Sequence, residues 1–291
     1  MLKRCIALFL TAFIMLMLCA CQSTVASDEE LDVMRFKNDR DSFTTNLLVE
    51  GPSPQDYVDE TPPDGVKEVT FESGEYTLRA WLSADPADGE RHPAVVYVHG
   101  GFAFGSTDWE DAQAYLDAGF VLMTPILRGE NGNPGFFEGF YGEVDDVIAA
   151  GEFLKEQPYV DADQIFLSGH SSGGTIAMLC SMLPSPYKAV ATFGASPDQK
   201  IFWQSWADVA PFDVTDEAET DIRSPLQYID CIQKPLYVYV AKQDITYHKL
   251  SKFLVGEASK LGKVCDYTSM PGDHWSSLAP SIADSITRFQ G

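Results

Sequence analysis

The chain has 291 residues, of which 45% are hydrophobic and 22% charged, a composition that suits one large globular domain or two small ones. Its 43 acidic residues outnumber its 20 basic residues and give a formal net charge of −23. Because nucleic acids and anionic lipid surfaces repel such a surface, the charge argues against either as a binding partner.

Residues 1–20 predict a secretory signal peptide. Lys3 and Arg4 precede an almost unbroken apolar run over residues 6–18, which is too short to span a bilayer comfortably with its flanks. The run ends in Leu18-Cys19-Ala20-Cys21, which resembles the bacterial lipobox, where Cys21 is lipidated and becomes the mature N-terminus. An uncleaved anchor helix is the alternative. The resemblance implies a protein that is lipid-anchored in the bacterial cell envelope, at the outer membrane or periplasm of a Gram-negative bacterium.

Residues 21–65 are predicted to form a tether between that anchor and the folded domain. They are rich in Asp, Glu, Ser and Pro, with structure breakers at Gly51-Pro52-Ser53-Pro54 and Thr61-Pro62-Pro63-Asp64-Gly65. A short helix around residues 28–40 is the one element expected there. Ordered structure is expected to begin at Val66.

Residues 66–291 predict a single α/β domain. Strands over residues 66–71 and 76–82 flank a turn and form an antiparallel hairpin. The β-branched apolar run Ala94–Val98 then suits a strand covered on both faces, and strands alternate with helices from there on. This alternation predicts a mostly parallel, eight-stranded sheet with helices on both faces. The remaining strands are expected over residues 120–125, 165–167, 188–193, 236–241 and 264–270, and the helices over residues 108–118, 143–156, 172–183, 245–261 and 276–289.

Residues 196–226 interrupt this alternation. Phe202, Trp203 and Trp206 lie in the front of the segment, and acidic residues follow. An insertion of this length between two strands either caps the functional site or forms a surface loop with a locally buried Trp pair. Both interpretations stay open at this point.

The sequence Gly169-His170-Ser171-Ser172-Gly173 matches G-x-S-x-G in its required setting. An apolar strand precedes it and a small-residue helix follows, which is the strand–turn–helix arrangement of a nucleophile elbow. The turn exposes the Ser171 hydroxyl above the start of a helix, whose partial positive charge favours a developing oxyanion. This pattern predicts Ser171 as the nucleophile of an α/β-hydrolase fold.

A serine nucleophile needs a base near its operating pH and an acid to orient that base. Of the five histidines, His274 follows the strand that ends at Met270, where this fold supplies its base. Asp244 follows the preceding strand and completes the chain order serine, acid, histidine. Asp273 is a rival by sequence, although a neighbour on a tight loop rarely points back to the ring. We therefore expect Asp244 to be the orienting acid.

The sequence His99-Gly100-Gly101-Phe102 resembles the oxyanion loop of lipases and esterases. The backbone N–H near Gly101 or Phe102, together with that of Ser172, is expected to bind the oxyanion. The same glycines also suit a tight strand-to-helix turn, and the two interpretations are compatible because the turn presents the N–H groups.

A longer series of motifs resembles the catalytic domain of the prolyl oligopeptidase family over residues 95–274. The family's peptidases usually carry a large β-propeller that selects substrates by size, and residues 21–65 cannot build one. The resemblance therefore implies a small serine hydrolase that acts on short peptides or on esters. Its motifs are His99-Gly100-Gly101, Arg128-Gly129-Glu130-Asn131-Gly132, Asp145-Asp146-Val147, Tyr159-Val160-Asp161-Ala162-Asp163-Gln164-Ile165, Gly169-His170-Ser171-Ser172-Gly173-Gly174, Ser224-Pro225-Leu226, Lys234-Pro235-Leu236 and Asp244.

Acyl transfer to water through Ser171, Asp244 and His274 is the preferred function, with a small peptide or ester as substrate. Carboxylesterase activity and a non-catalytic, ligand-binding lipoprotein of the same fold are the alternatives. No cofactor is expected, and the cysteines have no metal-ligand spacing. Six aromatic residues are expected either to line an apolar pocket or to belong to the core: Phe136, Phe137, Phe140, Tyr141, Trp203 and Trp206.

Overall fold

The computed structural model describes residues 33–291, so the predictions of a signal peptide over residues 1–20 and of lipidation at Cys21 lie outside the described residues. None of the helices within 33–291 combines the length and the apolar character that crossing a bilayer requires.

Eight strands form one sheet. Their bounds are β1 Val66–Ser73, β2 Tyr76–Ser83, β3 His92–Val98, β4 Val121–Pro125, β5 Val160–His170, β6 Val190–Phe193, β7 Leu236–Ala241 and β8 Cys265–Met270. The order across the sheet is β1-β2-β4-β3-β5-β6-β7-β8. The β1–β2 and β2–β4 pairs are antiparallel, whereas all pairs from β4–β3 to β7–β8 are parallel. The predicted mostly parallel sheet with a leading hairpin is thus confirmed.

Helices connect most of these strands. Their bounds are α1 Arg35–Ser42, α2 Ser106–Asp111, α3 Gln113–Asp117, α4 Glu143–Lys155, α5 Ser171–Cys180, α6 Gln199–Ser205, α7 Glu217–Asp221, α8 Ile245–Lys260 and α9 Leu278–Gln290, with 3₁₀ turns at Ala207–Val209 and Pro225–Cys231.

Strand β3 shows how the sheet divides the core into two layers. Val96 and Val98 point to a layer with Val144 of α4. Val95 and Tyr97 point to the opposite layer, which includes residues of α2, α3 and α9. Successive side chains of a strand alternate between faces, so a wholly apolar strand has to be covered on both.

Within residues 66–291, most elements differ from their predicted bounds by one to three residues at an end, and two differ more. The helix expected over residues 108–118 is divided at Ala112 into α2 and α3. Strand β5 begins at Val160, five residues before the predicted strand, since Val160 pairs with His92 across a register shift in β3. The polar residues between Val160 and Ile165 conceal this extension from a pattern of apolar residues.

The expected tether differs more. Within the described part of residues 21–65, Phe36 of α1 is fully buried, and its ring packs 4.4 Å, centroid to centroid, from that of Tyr228. Arg40 donates to Asp145 at 2.9 Å. Leu47 forms an isolated antiparallel bridge with Phe212. Ordered structure therefore does not begin at Val66, because specific contacts hold the preceding residues against the domain.

Candidate active site

Ser171 lies at the sharp turn between β5 and α5. Its backbone φ is 53°, in the left-handed region that non-glycine residues seldom adopt. Such strain persists only where the surroundings enforce it, and it is typical of functional sites. The chain changes from strand to helix at this residue, so that Ser171 is the first residue of α5, as the nucleophile-elbow pattern predicts.

The two flanking glycines are required by close backbone approach. An ideal Cβ on Gly169 would lie 2.3 Å from the carbonyl oxygen of Gly173. An ideal Cβ on Gly173 would lie 2.3 Å from the carbonyl oxygens of both Val98 and His99. The elbow thus packs directly against the end of β3, which brings Ser171 beside the loop that follows that strand.

The loops after β7 and β8 supply a hydrogen-bonded pair. His274 Nδ1 lies 3.1 Å from Asp244 Oδ2, and both side chains are largely buried. Asp273 does not make this contact: its Oδ1 accepts instead from Ser276 Oγ at 2.6 Å and from the backbone N–H groups of Trp275 and Ser276. The structure thus brings Asp244, and not its sequence rival, to the imidazole.

A second histidine packs beside His274. The ring centroids of His170 and His274 are 4.9 Å apart, and His170 Nε2 lies 3.4 Å from the backbone oxygen of His274. Burial, reinforced by the nearby imidazole of His274, lowers the pKa of His170 to about 4. His170 is therefore neutral near pH 7 and adds no charge beside His274.

Ser171, Asp244 and His274 line one cavity of about 680 Å³, together with Gly101, Phe102 and Ser172 of the expected oxyanion site. The predicted site residues thus come together, although they are far apart in sequence. Gly101 follows β3, whereas His274 follows β8. Parallel strands explain this convergence, since the loops after their carboxyl ends meet at one edge.

One side of the cavity is apolar and aromatic. Of the six aromatic residues predicted for a pocket or the core, Trp206 lines the cavity, and Phe202 joins it one helical turn earlier. Phe137, Phe140 and Trp203 are buried in the core. Phe136 and Tyr141 also lie outside the cavity lining. The segment 196–226 therefore contributes both a wall of the cavity and a buried tryptophan.

The loop after β3 is held by a buried ion pair. His99 Nε2 lies 2.9 Å from Glu130 Oε2, and Asn131 exchanges hydrogen bonds with the backbone of Phe104. Burial opposes the charge on His99, but Glu130 outweighs it and raises the pKa of His99 to about 9. The pair fixes the loop that carries Gly101, whose carbonyl accepts from Ser172 Oγ at 2.6 Å.

Sequence reasoning missed Gln55, which belongs to the expected tether. Gln55 lines the cavity, and its Oε1 accepts a hydrogen bond of 3.0 Å from the backbone N–H of Phe102. One of the expected oxyanion donors is therefore engaged within the chain. No sequence pattern marks this contact, because its partner is a backbone group.

The electrostatic character of the cavity follows from its lining. Apart from Asp244, the only other carboxylate that lines it is Asp273, and no lysine or arginine does so among the described residues. Within the part of the chain that the structure covers, no group of three or more His, Cys, Asp or Glu side chains is arranged to hold a metal ion. The charged side chains of this lining are therefore carboxylates, which lie beside the imidazole of His274.

Known proteins with sequences similar to this chain are described as peptidases. The model of the prolyl oligopeptidase family matches residues 107–275. The uncharacterized peptidase YtmA of Bacillus subtilis is 25% identical over 192 residues, which cover 62% of this chain and 74% of YtmA.

Many solved structures share the fold, among them a peptidase and an esterase. A puromycin-hydrolyzing peptidase of Mycobacterium tuberculosis superposes with a TM-score of 0.68 at 17% identity, over 80% of this chain but only 40% of that one. The esterase Est2 of Thermogutta terrifontis superposes with a TM-score of 0.62 at 18% identity, over 78% of this chain and 93% of the esterase. At these identities the structural matches establish the fold alone.

Proposed function

Because the chain belongs to the prolyl oligopeptidase family and is a serine hydrolase, we propose that Ser171 is its nucleophile, His274 its general base and Asp244 the acid that orients the base. The observation that carries the proposal is the shared cavity, which Ser171 lines together with the hydrogen-bonded pair of His274 and Asp244. Membership of this family argues against the alternative of a non-catalytic binding protein.

Acylation begins when His274 Nε2 takes the proton of Ser171 Oγ while that oxygen attacks the scissile carbonyl carbon. Asp244, at Nδ1, holds the required tautomer and stabilises the imidazolium. The N–H groups of Gly101 and Ser172 are the proposed donors to the oxyanion, reinforced by the N-terminus of α5. The intermediate collapses as the bond to the leaving group breaks, and His274 returns its proton to that group.

Deacylation repeats these steps with water. His274 takes a proton from water as the water oxygen attacks the acyl carbon of the ester on Ser171. The second tetrahedral intermediate expels Ser171 Oγ, which regains its proton from His274, and the carboxylic acid leaves. No metal or cofactor takes part in this scheme.

A peptide or amide bond, or a carboxylic ester, is the proposed substrate. Carboxylesterase activity is the second candidate, favoured by the superposition on 93% of the esterase Est2. The aromatic side of the cavity suits an apolar acyl group or side chain. The absence of lysine and arginine from the described lining favours neutral over anionic substrates.

Labelling with a fluorophosphonate tests the catalytic assignment. The wild-type protein is expected to form a covalent adduct, and Ser171→Ala is expected to lose it while unfolding at the same temperature. Folded wild-type protein that resists labelling would contradict the proposal. A panel of p-nitrophenyl esters and dipeptidyl amides then separates esterase from peptidase activity.

We also propose lipid anchorage in the bacterial cell envelope through Cys21, which rests on the lipobox-like sequence Leu18-Cys19-Ala20-Cys21. Incorporation of a labelled fatty acid in a bacterial host, lost in Cys21→Ser, is the expected result. Equal incorporation by both proteins would contradict it.

A further inference from the structure

Residues 44–60, here termed the strap, run along the domain to the edge of the cavity. Four backbone hydrogen bonds hold them. The N–H groups of Leu48 and Val49 donate to the carbonyl of Pro211 at 2.7 and 3.2 Å. Phe137 N–H donates to Gly51 at 2.9 Å, and Ser53 N–H donates to the carbonyl of Gly129 at 2.9 Å. These bonds attach the strap to the segment 196–226 and to the loop between β4 and α4.

The strap also forms hydrogen bonds with both backbone polar groups of Phe102, a residue of the oxyanion loop. Phe102 N–H donates to Gln55 Oε1, and the hydroxyl of Ser53 donates to the carbonyl oxygen of Phe102. Gln55 is thereby fixed at a defined point of the cavity lining, although it is solvent-accessible.

The geometry of one peptide unit separates Gln55 from the oxyanion site. The carbonyl of Gly101 points to Ser172 Oγ, which donates to it at 2.6 Å. In a trans peptide the following N–H, that of Phe102, points the opposite way. Gln55 therefore accepts from this peptide on the side away from Ser172 Oγ, and the N–H groups of Gly101 and Ser172 stay the proposed donors to the oxyanion.

With its oxygen engaged, the carboxamide of Gln55 keeps two N–H donors. Outside the proposed catalytic set, the lining also holds the polar side chains of Gln243, Tyr247 and Asp273 and the indole N–H groups of Trp206 and Trp275. A carboxylate cannot donate, and Asp273 already accepts from Ser276. Gln55 thus brings two hydrogen-bond donors to a cavity whose lining also includes Phe202 and Trp206. A few placed polar groups in an apolar pocket usually determine which ligand binds.

We infer that Gln55 is a specificity-determining residue that donates to an amide carbonyl on the acyl side of the substrate. The enzyme then favours N-acylamino-acid and peptidyl acyl groups over plain alkanoyl groups. This inference rests on the proposed function, and it bears on the choice between peptide and simple ester.

Two esters with the same leaving group test it: the p-nitrophenyl esters of N-acetyl-phenylalanine and of 3-phenylpropanoic acid. They share the phenyl group and differ in the acetamido group. The readout is the ratio of their kcat/KM values in each variant relative to the wild type, which cancels intrinsic reactivity. Gln55→Leu is expected to lower the ratio about five-fold, the equivalent of one hydrogen bond of about 1 kcal/mol. Any effect of the substitution on the oxyanion loop, through the lost contact with Phe102, enters both rates and cancels in their ratio.

Two further variants separate the loss of the Gln55 donors from other effects of substitution in the strap. Gln55→Glu retains an acceptor for Phe102 N–H but removes both donors, so it is expected to lower the ratio as Gln55→Leu does. Asp56→Asn alters the adjacent exposed residue of the strap, which does not line the cavity, and is expected to leave the ratio unchanged.

An unchanged ratio in Gln55→Leu overturns the inference. So does a rise in both rates, which would mean that Gln55 obstructs the site. No hydrolysis of the N-acetyl-phenylalanine ester by the wild type overturns it as well. Fluorophosphonate labelling separates these results from failure of the proposed function, since labelling at Ser171 persists in each of them and is absent only if that function is wrong.

Discussion

His274 Nδ1 and Asp244 Oδ2 are 3.1 Å apart, a contact that joins the loops after the neighbouring parallel strands β7 and β8. If Asp244 fixes the imidazole tautomer, Asp244→Asn preserves its size but offers an N–H to Nδ1. The ring then presents the wrong nitrogen to Ser171. The expected loss in kcat is about 10⁴-fold, measured on an activated ester.

Asp273→Asn is the matched control for that variant. Asp273 organises the loop through Ser276 and the N–H of Trp275, whereas it makes no contact with the imidazole that the structure records. We expect a loss in kcat of at most about ten-fold, because only loop order is affected. A larger loss in Asp273→Asn than in Asp244→Asn would reverse the assignment of the acid.

His170 makes the free energy of unfolding depend on pH. Its ordinary pKa of 6.5 falls to about 4 through burial and the proximity of His274. Between these values the unfolded chain binds a proton that the folded chain does not. The resulting stability is therefore fully present above pH 6.5 and is lost as the pH falls toward 4. From pH 7 to pH 4.5 we expect this residue to lower the free energy of unfolding by about 2 kcal/mol.

Urea unfolding of the wild type and of His170→Gln across this range measures the effect. The variant cannot take up the proton, so its free energy of unfolding is expected to decline less steeply with falling pH. The comparison of slopes is independent of any constant difference in stability between the two proteins. Identical slopes would contradict the role assigned to His170.

Two glycine substitutions are expected to act in opposite directions. An alanine Cβ at Gly173 would lie 2.3 Å from the carbonyl oxygens of Val98 and His99, so Gly173→Ala is expected to cost about 3 kcal/mol or prevent folding. Gly256 lies in the interior of α8 with nothing within 4 Å of an added Cβ. Gly256→Ala is therefore expected to stabilise the protein by about 0.5–1 kcal/mol. Thermal unfolding measures both, and a stabilised Gly173→Ala would refute the close approach at the elbow.

The positions of Ser171, Asp244 and His274 were predictable because each follows a strand whose apolar pattern is local. The Ser171 motif carries its strand and helix with it, and the other two residues follow β7 and β8. Parallel strands then bring the loops together without any long-range information from side chains. For this reason the fold and the cavity residues could be anticipated from short stretches of sequence.

The role of the segment before β1 could not be anticipated in this way. Helix α1 has no apolar stripe, and Phe36 is its only large apolar residue. Its burial depends on Tyr228, which lies far along the chain. Gln55 is a similar case, since its partner is a backbone N–H. Likewise, Phe202 and Trp206 lie one helical turn apart and reach the cavity, whereas the adjacent Trp203 points into the core.

The burial of Phe36 makes the segment before β1 part of the folded domain. Removal of the Phe36 ring is therefore expected to destabilise the protein. Phe36→Ala leaves a cavity where the ring now contacts Tyr228, at an expected cost of about 3–4 kcal/mol in the free energy of unfolding. Leu48, which is 63% exposed, is the matched control, and Leu48→Ala is expected to change stability by less than about 0.5 kcal/mol. If the segment were a free tether, both substitutions would be equally neutral. Chemical unfolding of the two variants beside the wild type decides between these outcomes, because only a packed α1 separates them.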